Sequence, residues 1–397
     1  MKTTKSRLKG LVLSRGELED IRATLAERIR EGLKKEEGEI GALPTYLAPP
    51  GAGGGGEALV IDIGGTNIRA AGIRMTGSGT VVISPEPATT PLVSEWDSAA
   101  SFFDRQAELA LFLGPASNLP IGYCFSYPFR AMPGGDAVLL YWTKQLNVPG
   151  VAGHKVGEML LNAFRKRGYR PRWVRVLNDT VAALMGGDLA FRKGGRFATF
   201  IGLIVGTGTN MAAYFPTSLL AAKVSEAEFG HAKMAVNLES GNYHPPHLTR
   251  FDDELDATYP HVGEHRLEKA VSGKFLPQLY TFIRDGRSTP PFPTTRELFE
   301  LARQRPETPD SALARAIVNR SADLVAACLA GLIDTLETEG RVGILGEGGV
   351  INNNPEYRER LTRQLATLLG DSPEDSSRFD ILQLENVNLI GAAAAAL

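Results

Sequence analysis

Two stretches of this chain repeat one pattern, Leu59-Val60-Ile61-Asp62-Ile63-Gly64-Gly65-Thr66-Asn67-Ile68-Arg69 and Phe200-Ile201-Gly202-Leu203-Ile204-Val205-Gly206-Thr207-Gly208-Thr209-Asn210. In each, an apolar run reads as a buried strand. The Gly, Thr and Asn after it read as a tight turn whose backbone N–H groups are unshielded by side chains. Such a turn can approach a phosphate closely, and the echo suggests an internal duplication in which two glycine turns grip one polyphosphate from opposite sides. For the first stretch the competing reading is an ordinary strand-to-hairpin turn, because Gly-Gly is common punctuation. Asp62, at the end of its strand, is placed to act on a metal directly or through water. Gly206 and Gly208 lack the third glycine and the βα context of a dinucleotide fingerprint. The run from Gly51 to Gly56 lacks the Lys-Ser/Thr of a P-loop and reads as a flexible linker.

A length of 397 residues favours two domains, with a cleft between them as the natural place for a ligand. Strand-like runs alternate with helix-like ones, which argues for an α/β architecture. Residues 14–35 form an amphipathic helix with Leu18, Ile21, Leu25, Ile29 and Leu33 on one face, opened by a Ser14/Glu17 capping box. Strands are expected at 121–125, 138–142, 173–177, 342–345 and 379–384. Helices are expected at 97–113, 154–167, 180–191, 310–339, 355–369 and 388–397, Asp310 capping the longest. The part between residues 211 and 310 is less patterned.

A net charge of −2 gives no electrostatic case for nucleic acid as a partner. The basic run Arg165-Lys166-Arg167 sits at a helix end, where cations complement the dipole. Cys124 and Cys328 lie in apolar surroundings without metal-ligand spacing, as buried free thiols suited to a reducing compartment. Met1 to Lys9 does not read as a leader, and no run reaches the roughly 18 apolar residues of a membrane span. A cytoplasmic protein without membrane contact is expected.

Between the two glycine turns lies Val176-Leu177-Asn178-Asp179-Thr180-Val181, a strand end that delivers an Asn-Asp pair into a turn and then a helix. Asp179 is a candidate general base there; helix capping by Asp179 or Thr180 is the other reading. A phosphate-gripping turn on each side and an acid between them is the parts list for moving a phosphoryl group onto a hydroxyl.

In these parts and their order the chain resembles a hexokinase over roughly residues 43–397. The resemblance rests on Leu43-Pro44-Thr45-Tyr46, Asp62 to Arg69, Phe125-Ser126-Tyr127-Pro128, Trp142-Thr143-Lys144, Leu177-Asn178-Asp179-Thr180, Gly206 to Asn210, Asn237-Leu238-Glu239 and Leu267 to Gly273, in family order. It implies two ribonuclease-H-like domains of the actin-like ATPase superfamily, a small one over 55–178 plus 385–397 and a large one over 1–54 plus 179–384. It implies ATP and Mg2+ as cofactors and a hexose as partner, in a monomer or homodimer. Asp179 matches the base that takes the proton of the sugar's 6-hydroxyl. Ser126, Thr143, Lys144, Asn178, Asn210, Glu239 and Glu268 match residues that bind sugar hydroxyls. Gly64, Gly65, Thr66, Asn67, Arg69, Gly206, Thr207 and Gly208 fall in the phosphate segments, Asp62 matches the acid near magnesium, and Gly346, Gly348 and Gly349 occupy the adenosine segment.

Three positions depart from the family pattern. Gln145 stands where a glycine usually follows Thr-Lys, and Ser240 where a tryptophan usually follows the first glutamate; both bear on substrate range and affinity. Glu347 bears on nucleotide preference. The rivals are a catalytically silent hexose sensor on the same fold, an actin- or chaperone-like ATPase, and a repressor-type bacterial glucokinase. The last needs a zinc motif that two isolated cysteines cannot form. Intact Asp179 and both turns speak against the sensor.

Overall fold

The computed structural model describes residues 8, 10–35, 37–51, 55–76, 81–83, 86–111, 118–225, 227–287, 289–336, 338–372 and 377–397. Most of the stretch read for a leader, the centre of the glycine run and the last two residues of the helix expected over 97–113 lie outside them. In chain order the elements are α1 (Arg15–Lys34), β1 (Leu43–Pro44), β2 (Gly56–Ile63), β3 (Asn67–Met75), β4 (Val81–Ile83), β5 (Ala88–Pro91), α2 (Ala99–Leu111), β6 (Ile121–Phe125), β7 (Phe129–Ala131), β8 (Ala137–Leu139), α3 (Val156–Lys166), β9 (Val174–Leu177), α4 (Asp179–Phe191), β10 (Thr199–Val205), β11 (Thr209–Pro216) and β12 (Lys233–Asn237). Then come α5 (Arg250–Asp256), α6 (Arg266–Val271), α7 (Leu276–Asp285), α8 (Thr295–Arg303), α9 (Pro309–Thr335), β13 (Val342–Glu347), α10 (Gly349–Asn352), α11 (Pro355–Leu369), β14 (Phe379–Leu382) and α12 (Val387–Ala396).

The internal echo is a repeat of topology. One sheet has the order β4-β3-β2-β6-β9, and the other contains β12-β11-β10-β13-β14, extended by β1. Numbered within each half, both read third, second, first, fourth, fifth. In both, the glycine turn joins the first strand to the second, and the fourth and fifth strands run parallel, β6 to β9 and β13 to β14. By compactness the chain divides into a unit of residues 1–42, 203–211 and 238–383, here the β13 unit, and a unit of residues 43–202, 212–237 and 384–397, the β2 unit.

In the β2 unit, β2 pairs antiparallel with β3 and parallel with β6. Burial on both faces explains why β2 reads as a continuous apolar run; Val60, Ile61 and Ile63 are fully buried. Helices α4 and α12 pack through small residues, because a Cβ on Gly391 would lie 1.9 Å from the Ala182 carbonyl oxygen. In the β13 unit, α1 opens with the expected capping box, Glu17 N–H donating to Ser14 Oγ at 3.3 Å and Ser14 N–H to Glu17 Oε2 at 2.7 Å. Its apolar face packs on α9, where Gly331 admits the Arg22 backbone: a Cβ there would lie 2.5 Å from the Arg22 carbonyl oxygen.

Four expectations are corrected. The apolar run 138–142 forms strand only to Leu139, and Leu140 and Tyr141 are exposed. Helix α9 is capped by Thr308, whose side chain accepts from Ser311 N–H, and Asp310 falls in its first turn; Pro309 is pre-set for the first helical position and starts the helix earlier. Among the described residues, the stretch between 211 and 310 holds most of β11, β12, two 3₁₀ turns and four short α-helices, two of these opened by capping boxes at Thr249/Asp252 and Thr294/Glu297. Finally, α9 is long and apolar enough to cross a membrane by length and composition, yet it is almost wholly buried inside the protein.

Candidate active site

In the β2 unit, register places the functional residues. Asp62 on β2 pairs with Cys124 on β6, which pairs with Leu177 on β9. The three parallel strands therefore end level, and the turn or helix start after each of them leaves from one carboxyl edge, where ligands of α/β sheets bind. From that edge come the Gly64–Asn67 turn, Ser126, and the Asn178-Asp179 pair.

Asp62 is buried, and Arg69, its cross-strand partner, donates Nε to its Oδ2 at 3.0 Å. Burial pushes the Cys124 thiol well above its usual range, and the nearby Asp62 and Asp179 carboxylates push it further, so it stays protonated. Asn178 is the N-cap of α4, its Oδ1 accepting Val181 N–H at 2.9 Å. The cap is thus neither Asp179 nor Thr180. Asp179, the first residue of the helix and half-buried, accepts from Thr180 N–H through Oδ1 at 2.8 Å; its Oδ2 has no hydrogen-bond partner among the described residues.

The Thr143-Lys144 loop is tied to the same edge. Lys144 Nζ donates to the Ser126 carbonyl at 2.8 Å and lies 5.4 Å from the centre of the Tyr127 ring. Its Cδ would touch a Cβ on Gly65 at 3.4 Å, and Tyr127 Oη donates to the Gly64 carbonyl at 3.1 Å. Tyr127 therefore braces the first glycine turn, a role that its place inside the Ser-Tyr-Pro motif did not reveal. Lys144 and Gln145 are consecutive left-handed residues, with φ of 56° and 62°. Thr143, half-buried, closes this turn as its carbonyl accepts Leu146 N–H at 3.1 Å.

The β13 unit gathers the other residues. Within the second turn, Gly206 N–H donates to the Gly208 carbonyl at 2.9 Å, while Thr207 is exposed. Asn210 Oδ1 accepts from Met211 N–H at 2.8 Å and from Ser240 N–H at 3.1 Å, joining the turn to the Glu239 segment. Glu239 is itself left-handed, with φ of 55°. Glu268 Oε2 accepts Thr209 N–H at 3.1 Å. Gly348 has φ of 109°, and a Cβ there would lie 2.6 Å from the Val205 carbonyl oxygen, so the end of β13 lies against the second turn. Gly346 is buried and Gly349 exposed beside it. Ser240 is fully buried, and its Oγ has no hydrogen-bond partner among the described residues.

Comparison with known proteins gives these two groups a family. The architecture is the two-domain α/β fold of hexokinases: the structure of a hexokinase from Schistosoma mansoni complexed with glucose matches with a TM-score of 0.80 at 28% identity, over 99% of this chain and 97% of that one. Hexokinase family models match residues 3–189 and, for the second half, 200–284 and 309–397. The chain belongs to the hexokinase family. Among curated relatives, a hexokinase of Schwanniomyces occidentalis is 30% identical over 292 residues, 70% of this chain and 60% of its own length. Hexokinase-1 of Saccharomyces cerevisiae is 31% identical over 274 residues, 65% of this chain and 55% of its own length. The chain thus spans 55 to 60% of the length of these two curated relatives.

Proposed function

We propose that the protein transfers the γ-phosphoryl group of ATP to the 6-hydroxyl of a hexose, giving hexose 6-phosphate and ADP. The observation that carries this reading is the level ending of β2, β6 and β9, which delivers a phosphate turn, Ser126 and Asp179 to one sheet edge. Asp179 takes the hydroxyl proton as the O6–P bond forms and the bond to the β-phosphate oxygen breaks. Because Asn178 caps α4, Asp179 is available for that task. Ser126, Thr143, Lys144, Asn178, Asn210, Glu239 and Glu268 replace the water that the hexose hydroxyls lose on binding. Glucose is the first candidate, with mannose and fructose behind it, and the structure of a relative named as a glucose complex supports that order.

The main-chain N–H groups of Gly64–Asn67 and Gly206–Gly208, with Thr66, Arg69 and Thr207, hold the phosphates, and Gly346, Gly348 and Gly349 receive the adenosine. The described residues contain no cluster of three or more His, Cys, Asp or Glu side chains able to hold a metal. Magnesium suits such a site, since it keeps several waters and binds through a carboxylate plus substrate phosphates. Asp62 is the residue that would hold it, through water, and the ion would neutralise charge on the transferring group. The buried free thiols of Cys124 and Cys328 support a reducing, cytoplasmic setting.

The test is ADP release across glucose, mannose, fructose, galactose, glucosamine and N-acetylhexosamines, with Asp179→Ala as control. Turnover in the variant should fall by about 10²–10⁴-fold with glucose affinity retained. Release that no sugar stimulates would overturn the reading, and parent-like turnover in the variant would remove Asp179 from the role of base.

A further inference from the structure

The short segment that carries Glu268 also holds the second glycine turn. Besides the bond from Thr209 N–H to Glu268 Oε2 at 3.1 Å, Gly273 N–H donates to the Gly206 carbonyl at 2.7 Å and Lys274 N–H to the Thr207 carbonyl at 3.4 Å. The fit around the carboxylate is close. A Cβ on Gly208 would lie 2.7 Å from Glu268 Oε2, so glycine at this position lets the carboxylate reach the turn. A Cβ on Gly241, in the turn after Glu239, would lie 2.9 Å from the Thr209 carbonyl oxygen and 3.4 Å from Glu268 Cβ. An ionised acceptor makes a hydrogen bond roughly twice as strong as a neutral one, so this carboxylate is a firm anchor for a backbone amide.

We propose that Glu268 is a positioning residue for the phosphate turn as well as a hexose contact. Its Oε2 fixes Thr209 N–H and keeps residues 206–209 in a phosphate-ready shape. The inference rests on the proposed role of the second turn as a phosphate cradle.

It is tested by calorimetric titration of the protein with Mg2+ and ADP, first without any hexose. Glu268→Ala should weaken ADP by about 10-fold or more, the loss of one charged hydrogen bond. Glu268→Gln, whose amide oxygen can still accept from Thr209, should stay within about twofold. Hydrogen exchange at the Thr209 amide should quicken in the alanine variant and not in the glutamine variant. Gly208→Ala, which drives the carboxylate off the turn, should reproduce the alanine result and serves if Glu268→Ala does not fold. Parent-like ADP binding in the alanine variant, or equal losses in both Glu268 variants, would overturn the proposal. Because these titrations contain no hexose, they remain decisive if the hexose reading fails in the ADP-release assay.

Discussion

Residues 144 and 145 carry backbone strain in the loop proposed to meet the hexose. Two consecutive non-glycine residues in the left-handed region, φ 56° and 62°, cost about 1 kcal/mol or more each, and such strain collects where a loop must present particular groups. The family pattern of a glycine after Thr-Lys has its physical reason here. Gln145→Gly should raise the unfolding free energy read from urea denaturation slightly, by about 0.5 kcal/mol after the entropic penalty of glycine. Gln145→Val should lower it by about 2 kcal/mol, since a β-branched residue fits that region worst. Asn178 and Asp179 show a division that sequence left open. Either Asp179 or Thr180 satisfies the rules for a helix cap, and only the Asn178 Oδ1 to Val181 N–H bond removes capping from the aspartate's duties.

At the scale of elements, small residues set the distances between helices. The α4–α12 contact brings the Gly391 backbone onto Ala182, and the Ala-rich end of the chain exists to allow it. Gly391→Ala should cost about 3 kcal/mol or more, because the clash is with backbone rather than with the end of a flexible side chain, read as a drop in thermal midpoint. The apolar run 138–142 teaches the converse: its ladder with β7 ends at Leu139, and β-propensity alone leaves Leu140 and Tyr141 exposed beyond it. Helices α5 and α6, of seven and six residues, are too short to show periodicity, whereas α7 and α8 carry an apolar face, and α5 and α8 open with capping boxes visible in the chain as Thr-x-x-Asp and Thr-x-x-Glu.

Across the larger molecule, a buried ionic network fixes the helix that carries Glu268. Asp256 receives Lys269 Nζ at 2.5 Å and Arg266 Nη1 at 2.9 Å, and Asp252 takes both terminal nitrogens of the buried Arg320, at 2.7 and 2.5 Å. Burial pushes both carboxyls up. The opposing effect of Arg320 on Asp252, and of Lys269, Gly263 N–H and Arg266 on Asp256, prevails and holds both below the usual carboxylate range. A depressed carboxyl adds stability that is complete above its unfolded pKa of about 3.9 and is lost as pH falls through the lower folded value. The urea midpoint should therefore drop below about pH 4. Asp256→Asn should lower it at neutral pH, since removing one partner strands buried cations, and should flatten the acid slope. The sequence by itself determined the α/β class, the duplicated strand-and-turn, the apolar face and cap of α1, and the candidate residues in their segments, because these depend on neighbours a few positions away. Only the tertiary structure decided that Asp62, Cys124 and Leu177 lie in one register, that Glu268 seats under Thr209, and that Arg320 meets Asp252. Those pairings join residues far apart in the chain, and the burial and hydrogen bonding that select them arise only once the sheets and helices have packed.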